Sequence, residues 1–167
     1  MARPKGRTGE DLFPAEGPRV RTRNALLSLL MVALTATSTA LVGASPASAT
    51  TTREARMLVK INHARANHGL PPLTASPDLM VAARGHTLAM ARARSLFHTA
   101  SFSSLCCWDT IGENVGYGFT VRGLHSQFMH SAPHRANILD PRMRQVGVGI
   151  VKRDGALWVT EVFRDPH

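Results

Sequence analysis

Histidine is the residue type with the most evident chemical potential in this sequence. All eight histidines follow residue 62, and a glutamate stands in a Gly-Glu-Asn segment at residues 112–114, where we expect a turn. Imidazole transfers protons near neutral pH and is a common zinc ligand, and a carboxylate can complete either kind of site. No HExxH motif is present, and Pro133 interrupts the interval between His130 and His134. The histidines therefore predict a site only if the fold brings them together.

Three histidines have simpler interpretations. His86 shares the apolar stripe of a predicted helix with Leu79, Ala83 and Met90, which favours a core histidine with a satisfied ring over a ligand. His63 and His68 flank a predicted helix end, where we expect both rings to be solvated.

The two cysteines, Cys106 and Cys107, are adjacent. Two cysteines are too few for a dense disulfide scaffold or for a four-thiolate zinc site. Three states remain open: a disulfide between the neighbours, two buried thiols beside Trp108, or an intermolecular bridge.

The first 49 residues have the sequence pattern of a secretory signal peptide. Residues 1–24 are polar and basic, an apolar run follows from Ala25 to about Ala36, and Ala47-Ser48-Ala49 is a small-residue cleavage site. An uncleaved membrane anchor is the alternative, although the apolar run is short for a hydrocarbon core of ~30 Å. Cleavage after Ala49 leaves residues 50–167 as one exported domain with no transmembrane segment.

The composition limits what this domain can be. The whole chain is 44% hydrophobic and 19% charged, too apolar for a disordered chain. Residues 50–167 carry fourteen basic and eight acidic residues, a net charge of +6, and the basic residues are scattered. A basic surface favours anionic cell-wall polymers or membranes, but no basic stripe is interleaved with aromatic residues, so we expect no nucleic-acid binding. The absence of a GxxxxGK[ST] sequence argues against a P-loop nucleotide enzyme.

Helix signals dominate the first two thirds of this domain. An apolar pattern predicts a helix from about Thr52 to Asn67, ended by Gly69. Ser76 and Pro77 mark the start of a second helix. A third is predicted from about Thr120 to Met129, and a short fourth from His134 to Leu139.

The last part of the chain changes to strand periodicity. Val146, Val148 and Ile150 alternate with two glycines, Asp154-Gly155 marks a turn, and residues 157–163 form the returning strand. The two glycines indicate that another element approaches the sheet closely. Helices followed by a hairpin predict an α+β fold with an antiparallel sheet covered by helices.

Several segments, in order, resemble the CAP superfamily, which groups cysteine-rich secretory proteins, antigen 5 and plant pathogenesis-related proteins. The chain is most similar to the bacterial SCP-like branch, over about residues 54–164. The segments are residues 61–65 (INHAR), 69–73 (GLPPL), 97–98 (FH), 112–115 (GENV), 131–139 (SAPHRANIL) and 146–149 (VGVG). The resemblance implies a three-layer α-β-α sandwich.

The resemblance also implies a cleft in which two histidines and two acidic residues hold a divalent cation. His98, Glu113 and His134 match three of these positions. The second acidic residue does not carry over, because no Asp or Glu stands between Asn114 and Leu139. Two imidazoles and one carboxylate could still hold zinc with an open coordination position. Alternatively, the three side chains form a hydrogen-bonded network that orders loops.

Three further residues are candidates at this cleft. Asn114 is expected to form a turn, and Arg135 to pair with Glu161 or Asp140 or to face solvent. Tyr117, between two glycines, is placed either at the lip of the cleft or packed beside the sheet.

The functional prediction is a secreted, extracellular binding or interaction module with a simplified His/Glu cleft. Its ligand is unidentified, and cell-wall polymers and lipids are the candidate partners. The alternative is a metal-assisted, peptidase-like hydrolase that uses His98, Glu113 and His134. No serine or cysteine nucleophile has an evident partner, which argues against a triad hydrolase.

Overall fold

A computed structural model of the protein describes residues 50–167. The predicted signal peptide, residues 1–49, lies outside the described residues. Between residues 50 and 167, no helix is long and apolar enough to cross a membrane.

Four helices and four strands make up the described part of the chain. In order they are α1 (Thr52–Asn67), β1 (Thr74–Ala75), α2 (Pro77–Ala93), β2 (Thr110–Gly118), α3 (Val121–His130), α4 (Ala132–Leu139), β3 (Gln145–Arg153) and β4 (Ala156–Asp165). All four predicted helices are confirmed, with boundaries that agree within two residues where both ends were predicted.

Local sequence explains how the first two helices begin. The Thr51 hydroxyl accepts the Glu54 N–H at 3.3 Å and the Glu54 carboxylate accepts the Thr51 N–H at 2.7 Å, which is a capping box. Ser76 and Pro77 occupy the first positions of α2 as predicted. The Ser76 hydroxyl, however, donates to the Asp78 carboxylate and not to the helix backbone.

The sheet has the order β1-β3-β4-β2, with β4 antiparallel to both neighbours and β1 parallel to β3. The predicted hairpin is confirmed as β3 and β4. The expected turn at residues 112–114 is wrong, because these residues lie within β2, where Glu113 pairs with Val162 of β4. Two elements, β1 and β2, were not predicted. The long strand β2 forms one edge of the sheet.

Helices cover both faces of this sheet, which confirms the three-layer α-β-α sandwich. On one face lies α2, whose Thr87 hydroxyl bonds the Thr160 hydroxyl at 2.8 Å. On the other, α1, α3 and α4 enclose the main core, in which Phe163 is fully buried. A Cβ on Gly147 would overlap the backbone of Leu79, so the predicted close approach is that of α2 to β3.

A fully buried arginine joins α1 to the end of α4 and the following loop. Arg65 is 0% exposed, and its guanidinium donates to four backbone carbonyls at 2.9–3.2 Å. The acceptors are Pro71, Ile138, Asp140 and Met143. Charged donors make stronger hydrogen bonds than neutral ones, so this contact fixes the position of α4 relative to α1.

Candidate active-site cluster at the sheet edge

Glu113 is the centre of the candidate site. Side chains alternate along β2, and Val115 packs with Met90 of α2, so Glu113 also faces the α2 side of the sheet. The adjacent loop, residues 94–109, covers the Glu113 side chain, which is almost completely buried. A buried carboxylate requires hydrogen-bond donors, and the loop supplies them.

Both oxygens of the Glu113 carboxylate are engaged. Its Oε1 accepts the Thr99 N–H at 2.9 Å and lies 2.8 Å from His98 Nδ1. Its Oε2 accepts the Thr99 hydroxyl at 2.6 Å. The carboxylate is thus fixed by two consecutive loop residues, while most of the His98 ring remains exposed to solvent.

His86 joins this cluster from α2. Its Nε2 lies 3.9 Å from Glu113 Oε2 and forms a hydrogen bond with the Phe97 carbonyl at 2.8 Å. The His86 ring also meets the Phe97 ring edge-on, with centroids 5.1 Å apart. The prediction of a core histidine is therefore incomplete: the ring is largely buried and satisfied, but it lies beside the candidate site.

His134 is held separately from Glu113. It lies in the first turn of α4, where its Nδ1 is 2.8 Å from the Ser131 hydroxyl and its ring packs on Phe128 at 5.0 Å. Burial lowers the pKa of His134, and the charge of His98 lowers this pKa further. Of the three predicted cleft residues, the structure joins His98 and Glu113 directly and leaves His134 without a bond to either.

A zinc ion would need a third protein ligand beside the bonded pair His98 and Glu113. Among residues 50–167, no group of three or more His, Cys, Asp or Glu side chains is placed to hold one. A cation at Glu113 would share the carboxylate with Thr99, which already donates a hydrogen bond to each of its oxygens.

A second, buried polar network lies beside the cluster and includes Asn114. The Asn114 amide donates to Glu161 Oε2 at 2.9 Å and to the His134 carbonyl at 3.1 Å. Asn137 of α4 donates to Asn114 Oδ1 at 2.9 Å and to the Glu113 carbonyl at 3.1 Å. The expectation that Asn114 forms a turn is wrong: its side chain points from a strand toward α4 and ties this helix to β2.

Glu161 is the acidic member of this network. It is fully buried on β4, and within the described chain its Oε1 has no hydrogen-bond partner. Burial raises the pKa of Glu161 to about 8, and the hydrogen bond from Asn114 opposes this effect only in part. Glu161 is therefore protonated and neutral at pH 7. Its bond to Asn114 shows that it lies on the face of the sheet opposite Glu113.

The remaining candidates lie apart from the cluster. Arg135 is exposed, lies 3.2 Å from His68 Nε2 and contacts no carboxylate among the described residues. Of its two expected states, the structure has the solvent-facing one and not the pair with Glu161 or Asp140. Asp140 instead pairs with Arg142, because these residues share one tight turn. Tyr117 is partly exposed and packs against Trp158 with ring centroids 4.8 Å apart, beside the sheet.

The structure bonds the sulfur atoms of Cys106 and Cys107 to each other, which is one of the three states that the sequence left open. Both residues are exposed, and Cys107 has a φ of 64°. Arg164 donates to the Cys106 carbonyl at 3.3 Å and to both Asp78 oxygens, so the pair is attached to the first turn of α2.

Sequence reasoning assigned none of three further side chains to these networks. His86, Thr99 and Glu161 reach the two networks only through the packing of α2 and the register of β4 with β2. The position of Thr99, next to a histidine already selected, was the one local signal for any of them.

Comparison with known proteins identifies a family whose sequence profile matches this chain. The profile of the CAP family, described as the cysteine-rich secretory protein family, matches residues 58–163. A comparison with curated proteins gave no match.

Solved structures share the fold. An extracellular SCP-domain protein from Bacillus anthracis is 21% identical with a TM-score of 0.56, over 66% of this chain and 39% of that one. A cysteine-rich secretory protein from Staphylococcus aureus is 24% identical with a TM-score of 0.59, over 68% and 38%. An outer surface protein from Borrelia burgdorferi is 14% identical with a TM-score of 0.65, over 71% and 96%. The chain thus spans about two fifths of the length of the first two proteins.

Proposed function

We propose that this chain, which belongs to the CAP family of cysteine-rich secretory proteins, forms a non-catalytic binding module that acts outside the cell. Two kinds of observation support this proposal. One is the kind of protein that shares its fold, and the other is the bonding of Glu113.

The solved proteins of similar fold support the location. Their descriptions name an extracellular protein, a secretory protein and an outer surface protein. The first 49 residues of this chain have the pattern of a secretory signal peptide, which would bring the domain to the same side of the membrane.

The bonding of Glu113 carries the argument against catalysis. A general base needs an oxygen that can reach the proton it removes. In this site the Glu113 side chain is 4% exposed and both of its oxygens already bond Thr99 or His98, so a substrate proton has little access to the carboxylate. The cluster is therefore suited to ordering the loop over residues 94–109. An ordered loop at a sheet edge provides a defined surface, which is what a binding module requires.

Hydrolysis assays with the Glu113→Gln variant test the non-catalytic part of this proposal. Peptide and ester substrates are incubated with the full chain, with and without added zinc. The control variant Asp109→Asn removes an exposed carboxylate at the end of the same loop. We expect no turnover above the buffer blank for any protein. Zinc-dependent turnover that Glu113→Gln abolishes and Asp109→Asn retains would establish the metal-assisted hydrolase instead.

Retention on cell-envelope material tests the binding part. The protein is mixed with purified cell-wall polymer and, separately, with lipid vesicles, and the bound fraction is measured after sedimentation. The net charge of +6 over residues 50–167 predicts binding to an anionic material that salt reverses, because screening weakens exposed charges. Failure to sediment with either material at low salt would remove the support for a binding module.

A further inference from the structure

A second surface, away from Glu113, combines apolar exposure with unpaired positive charge. It is a groove of about 720 Å³ between α1, the start of α3 and the β3–β4 hairpin, here called the basic groove. Five cationic side chains line it: Arg53, Arg56, Lys60, Arg122 and Lys152. No acidic residue of the described chain is among its lining residues.

The unpaired cations of the domain are concentrated in this groove. Of the fourteen arginine and lysine residues between positions 50 and 167, eight bond a carboxylate, a carbonyl or a histidine ring. The other six have no such partner within that range, and five of them line the basic groove. The sixth, Arg92, lies on α2, across the sheet from α1. Five like charges held together without counter-ions favour an anionic partner.

The acidic residue of α1 does not offset this charge. Glu54 is 1% exposed, and its carboxylate bonds the Arg84 guanidinium of α2 at 2.6–2.9 Å. Burial by itself would raise the pKa of Glu54, but the hydrogen bonds from Arg84 and Thr51 outweigh it and lower this pKa. Glu54 is thus ionised and paired with Arg84 of α2, so it does not neutralise a cation of the basic groove.

The groove also holds the two most exposed large apolar side chains of the described residues. Phe119 is 74% exposed and Val59 is 68% exposed. A soluble polyanion would satisfy the cations but would leave these two side chains in water. A bilayer surface accommodates both, because apolar side chains enter the interfacial region while cations remain at the phosphate groups.

We propose that the basic groove docks on the surface of an anionic phospholipid bilayer, with Phe119 and Val59 in the interfacial region and the five cations against lipid phosphates. This inference rests on the proposed role as a binding module and names its partner. It involves none of the residues bonded to Glu113, so the two surfaces can be tested separately.

Vesicle sedimentation of variants that lack cations inside or outside the groove tests the proposal. The full chain is mixed with vesicles of phosphatidylcholine with or without phosphatidylglycerol. The double variant Arg56→Gln/Arg122→Gln removes one groove cation from each of two helices, and Arg92→Gln removes the unpaired cation outside the groove. All proteins carry the same apolar run near Ala25, so a difference between them reports the groove. Circular dichroism confirms that each variant is folded.

Each cation near an anionic bilayer contributes roughly a fivefold gain in partitioning, so the double variant should bind phosphatidylglycerol vesicles roughly 25-fold more weakly. Arg92→Gln should stay close to the unmodified chain, and phosphatidylcholine vesicles should show no such difference. Equal binding of the double variant and of Arg92→Gln to phosphatidylglycerol vesicles would refute the inference.

The variant Phe119→Trp reports the apolar contact. Its added fluorescence should shift to shorter wavelength on phosphatidylglycerol vesicles and be quenched by brominated lipid. An unshifted spectrum, with groove-dependent binding to a soluble polyphosphate, would assign the groove to a polymer and overturn the lipid proposal. Binding to cell-wall polymer alone would likewise overturn it while sustaining the broader proposed function. Binding to no anionic material would contradict both.

Discussion

Replacing the buried acid Glu161 by glutamine should change how stability depends on pH. The glutamine has the shape of the protonated acid and can keep the bond that Asn114 donates at 2.9 Å, but it cannot ionise. The site is fully buried, and the second oxygen of Glu161 has no partner within the described chain, so nothing there compensates a negative charge.

The magnitude follows from the pKa of Glu161, which burial raises from 4.5 to about 8. Between these two values the unfolded chain has released a proton that the folded chain retains. The free energy of unfolding therefore falls as pH rises, by about 1.4 kcal/mol per pH unit, and levels off above the folded pKa. At pH 7 this loss amounts to about 3 kcal/mol, and Glu161→Gln should recover it.

Urea denaturation at intervals from pH 4.5 to pH 8.5 measures this effect. The difference in unfolding free energy between Glu161→Gln and the unmodified chain should be smallest at pH 4.5 and grow steadily toward pH 8. The variant Glu161→Leu should have the same dependence on pH as Glu161→Gln but lower stability throughout, because the Asn114 amide loses one of its two acceptors and keeps only the His134 carbonyl. Parallel curves for all three proteins would refute the idea that Glu161 is neutral in the folded state.

Three other substitutions test the packing and the site. Arg65→Met removes a charged donor from four carbonyls, two of them in buried bonds, and should lower the unfolding free energy by about 3 kcal/mol in urea denaturation. A loss under about 1 kcal/mol would contradict the joining role of Arg65. Gly147→Ala places a methyl group on the backbone of Leu79, so we expect little soluble protein on expression; a normal yield with an unchanged melting temperature would show that α2 can move away. Thr99→Val removes the hydroxyl donor of Glu113 and should cost about 1 kcal/mol and speed proteolysis of the loop at residues 94–109; unchanged cleavage would argue against an ordering role.

The sequence predicted the elements whose signals are local. The helix α1 was predicted at its observed ends because its apolar period is regular and Gly69, with a φ of 70°, follows it. The hairpin of β3 and β4 was predicted because alternation is clear on both sides of Asp154-Gly155.

The strand β2 was missed because five of its nine residues, three glycines together with Glu113 and Asn114, have low strand propensity. Side chains distant in sequence fill the space that its glycines leave. A Cβ on Gly112 would lie 2.8 Å from the Asn137 side chain, and a Cβ on Gly116 would lie 2.8 Å from the Phe128 ring. Such fits depend on where α3 and α4 pack, which no local pattern reveals.

The candidate site, like the fold, could be predicted only in part from the sequence. The pairing of His98 with Glu113 was expected from resemblance to a family, and the structure bonds them at 2.8 Å. The contribution of His86 depends on the rotation of α2 over the sheet. The burial of Glu161 depends on strand register, because Asn114 is opposite it on β2. Neither can be deduced from spacing along the chain.

The bond between Cys106 and Cys107 joins neighbours in the sequence, so it encloses no length of chain. A crosslink of this kind removes little freedom from the unfolded protein, in contrast to one that closes a long loop. The main core, from Met57 to Phe163, is assembled without it. The domain should therefore fold equally well in the reducing cytoplasm of a production host, and dithiothreitol should leave its thermal transition in place. Heterologous preparation would then need neither an oxidising compartment nor a refolding step.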